Sequence, residues 1–488
     1  MRGTILKKFI YTIIIYGFLL IYITPPMQVP DENTHFLNSY AIAHLDIFPE
    51  TNGEKIGRKF PLEICRFIEN YQAFFLGGEE ALKIQQQQFE TYGSISWSQW
   101  QYEIYESINR SQQQFVEYWN ADTSPIAYIA PAFGMWLAEN IKIVPTTPYN
   151  LLIAGRIANL VMFVFLASLT LSLTPILKKT ILLLLLMPST VSLAASLSYD
   201  AIIIGTTLLL FSLVLKSVCS EKKISVGEIM LFIFIAVVLL SVKQAYFPLL
   251  LTAFCISIDK FPSKRVYIGT IVLCLFFAVI LYIPYKLQCN TILSLAKQSN
   301  LNYMGQPNQV KYIMTHLYKI PELIVNSFLV YGSFYVNSFF GNLGRLEILF
   351  IPWYSCMYLF ILLITILSEL KIAQKINVTK KLIFAFAIIC SVVLIFVGTY
   401  IIWTTNTIGI GADYVDGVQG RYFIMLVPFA CILFCYNCSN KYISHNKFVR
   451  QICTGLWKHN IHLLDLAMLY VNVCLILSVI LILLRFWI

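Results

Sequence analysis

The chain has 488 residues, of which 58% are hydrophobic and only 12% are charged, and its mean hydropathy is +0.71. Because a water-soluble protein of this length does not need so much apolar sequence, the composition excludes a soluble enzyme and indicates a polytopic α-helical membrane protein. The formal net charge of +10 does not indicate nucleic-acid binding, since the Lys and Arg residues form short clusters between apolar runs.

The first apolar run covers residues 9–24. It is long for a signal peptide and no small-residue cleavage site follows it, so we expect a retained first span. Arg2, Lys7 and Lys8 precede this run, and the positive-inside rule therefore places the N-terminus in the cytoplasm. A long polar stretch, residues 25–148, is then expected outside.

Later spans are predicted wherever an apolar run alternates with a basic cluster. They cover residues 149–173, 180–197, 201–215, 226–242, 246–258, 267–283, 346–367, 382–402, 422–435 and 463–484. The expected total is about eleven spans, with a margin of about two. External loops are predicted at residues 284–345 and 403–420, between these spans.

Two further apolar stretches, residues 126–138 and 323–340, are expected to be interfacial or re-entrant. Counting both as full spans would place the basic clusters around Lys178 and Lys216 outside, against the positive-inside rule. The first stretch is also short and is interrupted by Pro131 and Gly134, which do not favour a membrane-spanning helix.

Asp31, Glu32 and His35 follow the first apolar run. Three ionisable groups together at a membrane surface are unusual in a chain with so few charges. One interpretation is an active-site loop in which a carboxylate acts as a general base. The alternative is a solvated loop in which Asp31 caps the next helix.

Other polar residues are predicted on the same face, at the ends of spans. They are Tyr199 and Asp200, Lys243 and Tyr246, Arg345 and Glu347, Gln419, Arg421 and Tyr422, with Arg156 two helical turns inside a span. Carboxylates and cations against an apolar wall suit a phosphorylated, lipid-linked substrate. In the structural alternative, the cations snorkel to the interface and Arg421 pairs with Asp413 or Asp416.

The cysteines give no strong functional signal. Cys435 and Cys438 form a CxxC motif without a second pair, so no metal or redox role is expected. Cys65 and Cys289 lie in predicted external loops and could form a disulfide, but nothing in the sequence requires one.

Four motifs carry a resemblance to a known family. In chain order they are Pro30-Asp31-Glu32 with His35-Phe36, Ser198-Tyr199-Asp200, Lys243 with Tyr246, and Val418-Gln419-Gly420-Arg421-Tyr422-Phe423. They resemble the recurrent motifs of a bacterial membrane-protein family catalogued as domain of unknown function 2142, which is grouped with C-fold (GT-C) glycosyltransferases. Two features depart from the family pattern. One proline precedes Asp31 where the family usually has two, and the family's Pro-Pro-x-Tyr-Tyr-like segment is reduced to Ser124-Pro125-Ile126-Ala127-Tyr128.

The resemblance covers about residues 10–440 and implies a GT-C-like helical domain over residues 1–440. Residues 441–488 would add a cytoplasmic loop and the last span. Such enzymes take a sugar from a polyprenyl phosphate and transfer it, with inversion, to a glycan, lipid or protein acceptor. The resemblance therefore implies a site on the extracytoplasmic face of the bacterial plasma membrane, with no nucleic-acid partner.

The resemblance also implies roles for individual residues. Asp31 would be the general base, with Glu32 as second choice, and His35 would orient Asp31 or the acceptor. The donor phosphate would be held by Lys243 and Arg421, with Arg345 and Arg156 as secondary candidates. Acceptor or substrate contacts are expected from Asp200, Tyr199, Tyr246, Gln419 and Tyr422, and from an aromatic platform at Trp97 and Trp100. No cofactor is implied; Asp200 could bind a divalent ion, but transfer is not expected to require one.

Three other functions remain open at this point. A lipid-linked glycan polymerase or ligase would use similar chemistry on a longer donor. A flippase would need ionisable groups near the bilayer midplane and internal repeats. A non-catalytic scaffold would not need Asp31, Glu32 and Arg421 on one face.

Overall fold

The computed structural model describes residues 2–53, 55–75, 107–118, 120–142, 144–297, 301–372, 376–437 and 460–487. Helices predominate in these ranges. The α-helices of more than one turn are α1 (Arg2–Ile23), α2 (Glu32–Ala43), α3 (Leu62–Phe75), α4 (Ile129–Ile141), α5 (Pro148–Leu173), α6 (Lys178–Leu185), α7 (Pro188–Ala194), α8 (Asp200–Cys219), α9 (Val226–Val242), α10 (Lys264–Lys297), α11 (Leu301–Thr315), α12 (Ile320–Phe340), α13 (Pro352–Glu369), α14 (Val378–Thr399), α15 (Val427–Phe434) and α16 (Asn460–Phe486).

Eight helices in the described ranges are long and apolar enough to cross a membrane, which agrees with the predicted class of all-α polytopic membrane protein. They are Thr4–Ile23, Pro148–Leu173, Asp200–Cys219, Lys264–Ile292, Leu317–Phe340, Pro352–Glu369, Val378–Thr407 and Leu463–Phe486. Three shorter apolar helices, Val226–Val242, Gln244–Cys255 and Gly420–Phe434, coincide with other predicted spans. The segments Gln244–Cys255 and Gly420–Leu426 are 3₁₀-helical.

The prediction of one continuous span over residues 180–197 was wrong, because the structure has two short helices, α6 and α7, in its place. The break lies between Met187 and Pro188, where Met187 has extended backbone with φ −64° and ψ 140°. Proline cannot donate the helical hydrogen bond and disfavours helical backbone in the residue before it. Thr190 Oγ1 donates to the carbonyl of Leu184 across the break, at 2.8 Å.

Residues 323–340, expected to be interfacial or re-entrant, lie in the unbroken helix α12, which is long enough to span. The C-terminal end of α12 meets the break before α7, where Ser189 Oγ donates to the carbonyl of Phe339 at 2.8 Å. Helix α13 then continues past α6: Tyr358 contacts the carbonyl of Leu183, and Glu369 accepts the N–H of Thr180. Helices α12 and α13 therefore run in series, antiparallel to α6 and α7.

Two predicted boundaries also differ. The span expected from residue 346 begins later, at Pro352, because the chain first makes a turn closed by a bridge between Leu343 and Ile348. Helix α10 continues through Pro284 to Lys297, so the stretch expected outside from residue 284 begins within a helix. Pro284 removes one backbone donor, and the helix continues past it.

The first large loop contains a small folded unit. Strands β1 (Glu50–Asn52), β2 (Lys55–Pro61) and β3 (Gln113–Glu117) form an antiparallel sheet in the order β1-β2-β3. With α2, α3 and α4 they enclose a second apolar core around Phe36 and Phe60. Two short parallel strands, β4 (Lys371–Ile372) and β5 (Tyr436–Asn437), pair elsewhere.

This second core also contains a buried arginine that the sequence did not indicate. Arg58 is 1% exposed and donates to Asn38 Oδ1 and to the carbonyl of Ile47, each at 2.9 Å. It also contacts the hydroxyl of Tyr118. These contacts fix α2, which carries the proposed catalytic loop, onto the sheet.

The cysteines that could have formed a disulfide do not. Cys65 and Cys289 are both buried and have free thiols. Cys435 is also free, and Cys438 lies outside the described residues.

The basic clusters gather at one end of the bundle. Lys8 at the start of α1 pairs with Asp465 at the start of α16, and Lys216 at the end of α8 pairs with Glu228 at the start of α9. At the opposite end, Trp487 Nε1 donates to the carbonyl of Ile23 at the end of α1, at 2.6 Å. Asp31 follows α1 at this second end.

Candidate active site

Glu32 and Arg156 form a buried bidentate ion pair. Glu32 Oε1 lies 2.9 Å from Arg156 Nε, and Oε2 lies 2.6 Å from Nη2. The other N–H groups of Arg156 donate to the carbonyls of Ile21, Thr24 and Pro25, at 2.9, 2.7 and 3.1 Å. All five guanidinium donors therefore have acceptors within the protein.

This pairing gives Glu32 and Arg156 a structural role. Glu32 also accepts the N–H groups of Met27 and Leu197, at 3.1 and 3.3 Å, so α1, α2, α5 and the end of α7 meet at one carboxylate. Neither residue has spare hydrogen-bonding capacity for a substrate. The pairing therefore does not favour the predictions that Glu32 is an alternative base and that Arg156 binds the donor phosphate.

Asp31 differs from its neighbour in having a free carboxylate. It precedes α2 with φ 61° and ψ 13°, a left-handed conformation that Asp tolerates better than most residues. Its side chain is half-buried and does not cap the helix. Within the described ranges no hydrogen bond or ion pair is made by this carboxylate. It acts electrostatically on His35, Tyr199 and Arg421, so an available proton acceptor lies beside a cluster of polar groups.

Asp200, Lys243 and Arg421 form that cluster. Asp200 begins α8, Lys243 follows the end of α9, and Arg421 lies in the 3₁₀-helix Gly420–Leu426. Asp200 Oδ1 lies 3.1 Å from Lys243 Nζ, and Oδ2 lies 3.2 Å from Arg421 Nε. Arg421 therefore pairs with Asp200 rather than with Asp413 or Asp416.

The cluster has an excess of positive charge, because two cations share one carboxylate. Asp200 and Arg421 are 5% and 6% exposed, so the charges are held in a partly dehydrated place where electrostatic interactions are stronger than in water. Arg421 Nε donates no well-formed hydrogen bond to a described residue. An anionic group is the ligand class that this arrangement favours.

Three tyrosines enclose Lys243. Its Nζ lies 3.7 Å from the ring centroid of Tyr422 and 5.8 and 5.9 Å from those of Tyr199 and Tyr246. Aromatic faces attract a cation and limit its movement. The Tyr246 hydroxyl donates to the carbonyl of Tyr422 at 2.9 Å, which joins the segment after α9 to the one that carries Arg421.

His35 lies one helical turn after Asp31 and is buried. Its Nδ1 lies 2.9 Å from the Tyr128 hydroxyl, and its ring packs edge-on against Tyr199 with centroids 5.0 Å apart. Burial lowers the pKa of His35 below its ordinary value of 6.5, although Asp31 and Asp200 act in the opposite direction. A neutral imidazole held by Tyr128 is therefore expected near neutral pH.

Gln419 and Gly420 position Arg421. The N–H of Gly420 donates to Ser338 Oγ of α12 at 2.8 Å. A side chain at Gly420 would meet the carbonyl of Tyr335, because a Cβ there would lie 1.8 Å from that oxygen. Gln419 Oε1 is shut off from solvent and accepts no hydrogen bond in the part of the chain that the structure describes.

Other predicted site residues do not join this cluster. Arg345 lies on the turn before α13, near Glu347 and Arg485. Trp97 and Trp100 lie outside the described residues. No group of three or more His, Cys, Asp or Glu side chains with metal-binding geometry occurs in the described ranges.

Tyr128 is the site residue that the sequence analysis missed. It is fully buried, and its hydroxyl meets His35 across 93 residues of sequence. The available signal was its position at the end of the proline-containing segment 124–128, just before an apolar run. That segment forms the 3₁₀-helix Pro125–Tyr128, which turns the tyrosine towards α2.

One comparison with known proteins assigns the chain to a family. The family described as "Predicted membrane protein (DUF2142)" matches residues 14–430, most of the chain. The chain belongs to this family. The DUF2142 match extends from α1 to α15 and so includes Asp31 and the cluster of Asp200, Lys243 and Arg421. No curated protein and no solved structure matches the chain.

Proposed function

We propose that this DUF2142 protein is an inverting glycosyltransferase of the GT-C type. It would transfer a sugar from a polyprenyl phosphate to a glycan, lipid or protein acceptor outside the cell. The observation that carries the proposal is the free carboxylate of Asp31 beside the positively charged cluster of Asp200, Lys243 and Arg421. One group is suited to accept a proton and the other to hold a phosphate.

The proposed reaction is a single displacement. Asp31 accepts the proton of an acceptor hydroxyl as that oxygen attacks the anomeric carbon. The bond between the anomeric carbon and the phosphate oxygen breaks, and the phosphate leaves with the electron pair. Lys243 and Arg421 stabilise the charge that develops on this phosphate, while Asp200 holds the two cations in position. One displacement inverts the configuration of the sugar.

The arrangement of charges supports an orientation for the proposal. The basic clusters around Lys8 and Lys216 meet at the bundle end opposite Asp31. Because cytoplasmic ends carry the excess of Lys and Arg, we place this end and the N-terminus in the cytoplasm of a bacterial cell. The site then opens on the outer side of the plasma membrane, where lipid-linked sugars meet extracellular acceptors.

The test is consumption of a panel of polyprenyl-phosphate monosaccharides by the purified protein in lipid nanodiscs. We expect one donor to be consumed, and Asp31→Asn to lower that rate by about 10²-fold or more while donor binding persists. Asn is chosen because it also tolerates the left-handed backbone at this position. Asp413→Asn, an exposed carboxylate at the same end, is the matched control and should retain the wild-type rate.

Different outcomes separate the alternatives. Equal rates for wild type and Asp31→Asn would exclude Asp31 as the base. If no single-sugar donor is consumed but cells that make the protein change glycan chain length, a polymerase or ligase is the better assignment. A change in the sidedness of lipid-linked glycans without transfer would instead indicate a flippase.

A further inference from the structure

Two neighbouring clefts lie at the other end of α2 from Asp31. The larger has a volume of about 600 Å³ and lies between the end of α2, the segment before β3 and the C-terminal half of α4. The smaller, of about 340 Å³, extends over β1 and β2. Both are lined by His44 and Arg110, so the two form one polar groove on the folded unit of the first loop.

A charged network forms the centre of this groove. Glu139 Oε2 lies 2.8 Å from Arg110 Nη2 and 3.1 Å from His44 Nε2. The Glu139 side chain is only 9% exposed. Its second oxygen, Oε1, is closed to solvent and accepts no hydrogen bond from a described residue. A buried carboxylate oxygen without a donor is costly, and a ligand hydroxyl would satisfy it once the Glu139 side chain turns this oxygen towards the groove.

The walls of the groove suit a sugar chain better than an anion or an apolar ligand. Trp136 lines one side and is 45% exposed, which gives a flat aromatic face for the C–H surface of a pyranose. Asn140 and Lys142 stand beside it, and Asp46 and Lys59 line the smaller cleft. The groove is thus lined by both positively and negatively charged side chains. A sugar hydroxyl can accept a hydrogen bond from the first kind and donate one to the second.

We propose that the groove lined by His44, Arg110, Trp136 and Glu139 binds the glycan part of the acceptor. This inference rests on the proposed transferase function. The 12-residue helix α2 separates Asp31 from His44, which corresponds to about 20 Å. The groove therefore holds an acceptor several sugars away from the bond that forms, and the acceptor is an oligosaccharide rather than a monosaccharide or a peptide.

Direct binding tests the inference independently of catalysis. The full chain in lipid nanodiscs is applied to a printed array of bacterial surface polysaccharides, and an oligosaccharide from the best binder is then titrated by calorimetry. Glu139→Gln and Trp136→Leu should each weaken its affinity by at least about tenfold, the effect of losing one strong contact.

Matched controls separate the groove from general effects on the surface. Glu117→Gln removes an exposed carboxylate of the same folded unit, and Trp353→Leu removes an exposed indole elsewhere; both should bind the glycan as wild type does. The inference is overturned if wild type binds no glycan on the array, or if Glu139→Gln and Trp136→Leu bind normally. Either result can occur while the donor assay succeeds, so the two proposals fail separately.

Discussion

Asp31 and Glu32 are adjacent carboxylates with opposite environments. Glu32 is 0% exposed and has four donors around it, two from Arg156 and two from the backbone. Asp31 is half-buried and has none within the described ranges. The left-handed backbone at Asp31 separates them, because it turns the chain between the two side chains. The contacts therefore support a structural role for Glu32, and the catalytic role that we propose falls to Asp31.

Substitution of each carboxylate by its amide should separate the two roles. Glu32→Gln leaves Arg156 as a buried charge without its partner, and breaking such a pair typically costs about 3–5 kcal/mol. We expect a large loss of folded protein for Glu32→Gln and a near-normal unfolding temperature for Asp31→Asn. Size-exclusion chromatography and thermal unfolding of the purified variants measure this difference. Equal stability of the two variants would contradict it.

His35 should make the stability depend on pH. Its pKa is lowered in the folded protein because it is buried, so the unfolded chain takes up a proton more readily. The contribution to stability is full above the unfolded pKa of about 6.5 and is lost as the pH falls towards the lower folded pKa. The unfolding temperature of His35→Gln should therefore change less between about pH 7.5 and 5 than that of wild type; parallel curves would disprove this.

At the residue scale, sequence identified the members of the site but not their pairings. Asp31, Asp200, Lys243 and Arg421 could be predicted because charges are rare in an apolar chain and these fall at helix ends. The partner of Glu32 could not, since Arg156 lies 124 residues away and the choice depends on helix packing. Tyr128 was missed for a similar reason: it lies 93 residues from His35, and no local sequence feature identifies a tyrosine as the partner of a distant histidine.

The element that carries Arg421 depends on a close approach between two backbones. A Cβ at Gly420 would lie 1.8 Å from the carbonyl of Tyr335 and 2.5 Å from the nitrogen of Phe339. Backbone atoms cannot move aside as a flexible side chain can. The 3₁₀-helix Gly420–Leu426 can therefore pack this closely against α12 only while residue 420 is glycine.

Gly420→Ala should displace this helix and remove Arg421 from Asp200. We expect loss of donor binding and a lower unfolding temperature. Gly332→Ala is the matched control. Gly332 lies on α12, the helix that Gly420 contacts, and a Cβ at Gly332 would meet no atom within 4 Å. That variant should stay within about 1 kcal/mol of wild type. Normal donor binding by Gly420→Ala would show that the close approach is not needed.

At the scale of elements, apolar length predicted helices well but not their continuity. The run over residues 180–197 is mostly apolar, yet Pro188 divides it, because the proline ring excludes one hydrogen bond of the helix. Residues 323–340 of α12 were expected to be interfacial or re-entrant, because their orientation was inferred from charge alone. The hydrogen bond between Ser189 and the end of α12 shows that α12 and α13 follow each other in one direction, and charge alone could not reveal this.

For the whole molecule, this serial arrangement is compatible with the predicted side for each basic cluster. Asn326 of α12 contacts the carbonyl of Asp413 near the site end, and Glu369 at the end of α13 contacts Thr180 near the basic end. The two helices together carry the chain from one end to the other. If α12 and α13 together make one crossing, α12 is not a separate span, and the segments between residues 138 and 323 keep the orientation that the sequence analysis predicted.

Reporter fusions in bacterial cells test the orientation. We expect alkaline phosphatase fused after Trp487 to be active and green fluorescent protein at the same position to be dark, because Trp487 contacts Ile23 at the site end. Fusions after Lys222, between α8 and α9, should give the reverse result. The same signal from both positions would contradict the arrangement.

The bidentate pair of Glu32 and Arg156 has a consequence for the order in which the chain is made. Glu32 leaves the ribosome 124 residues before its partner, and a lone carboxylate cannot enter the hydrocarbon region cheaply. Until α5 is inserted, the segment after α1 must stay at the aqueous interface. Asp31 acquires its surroundings still later, when Arg421 is synthesised, so a nascent or truncated chain lacks the complete cluster of charges.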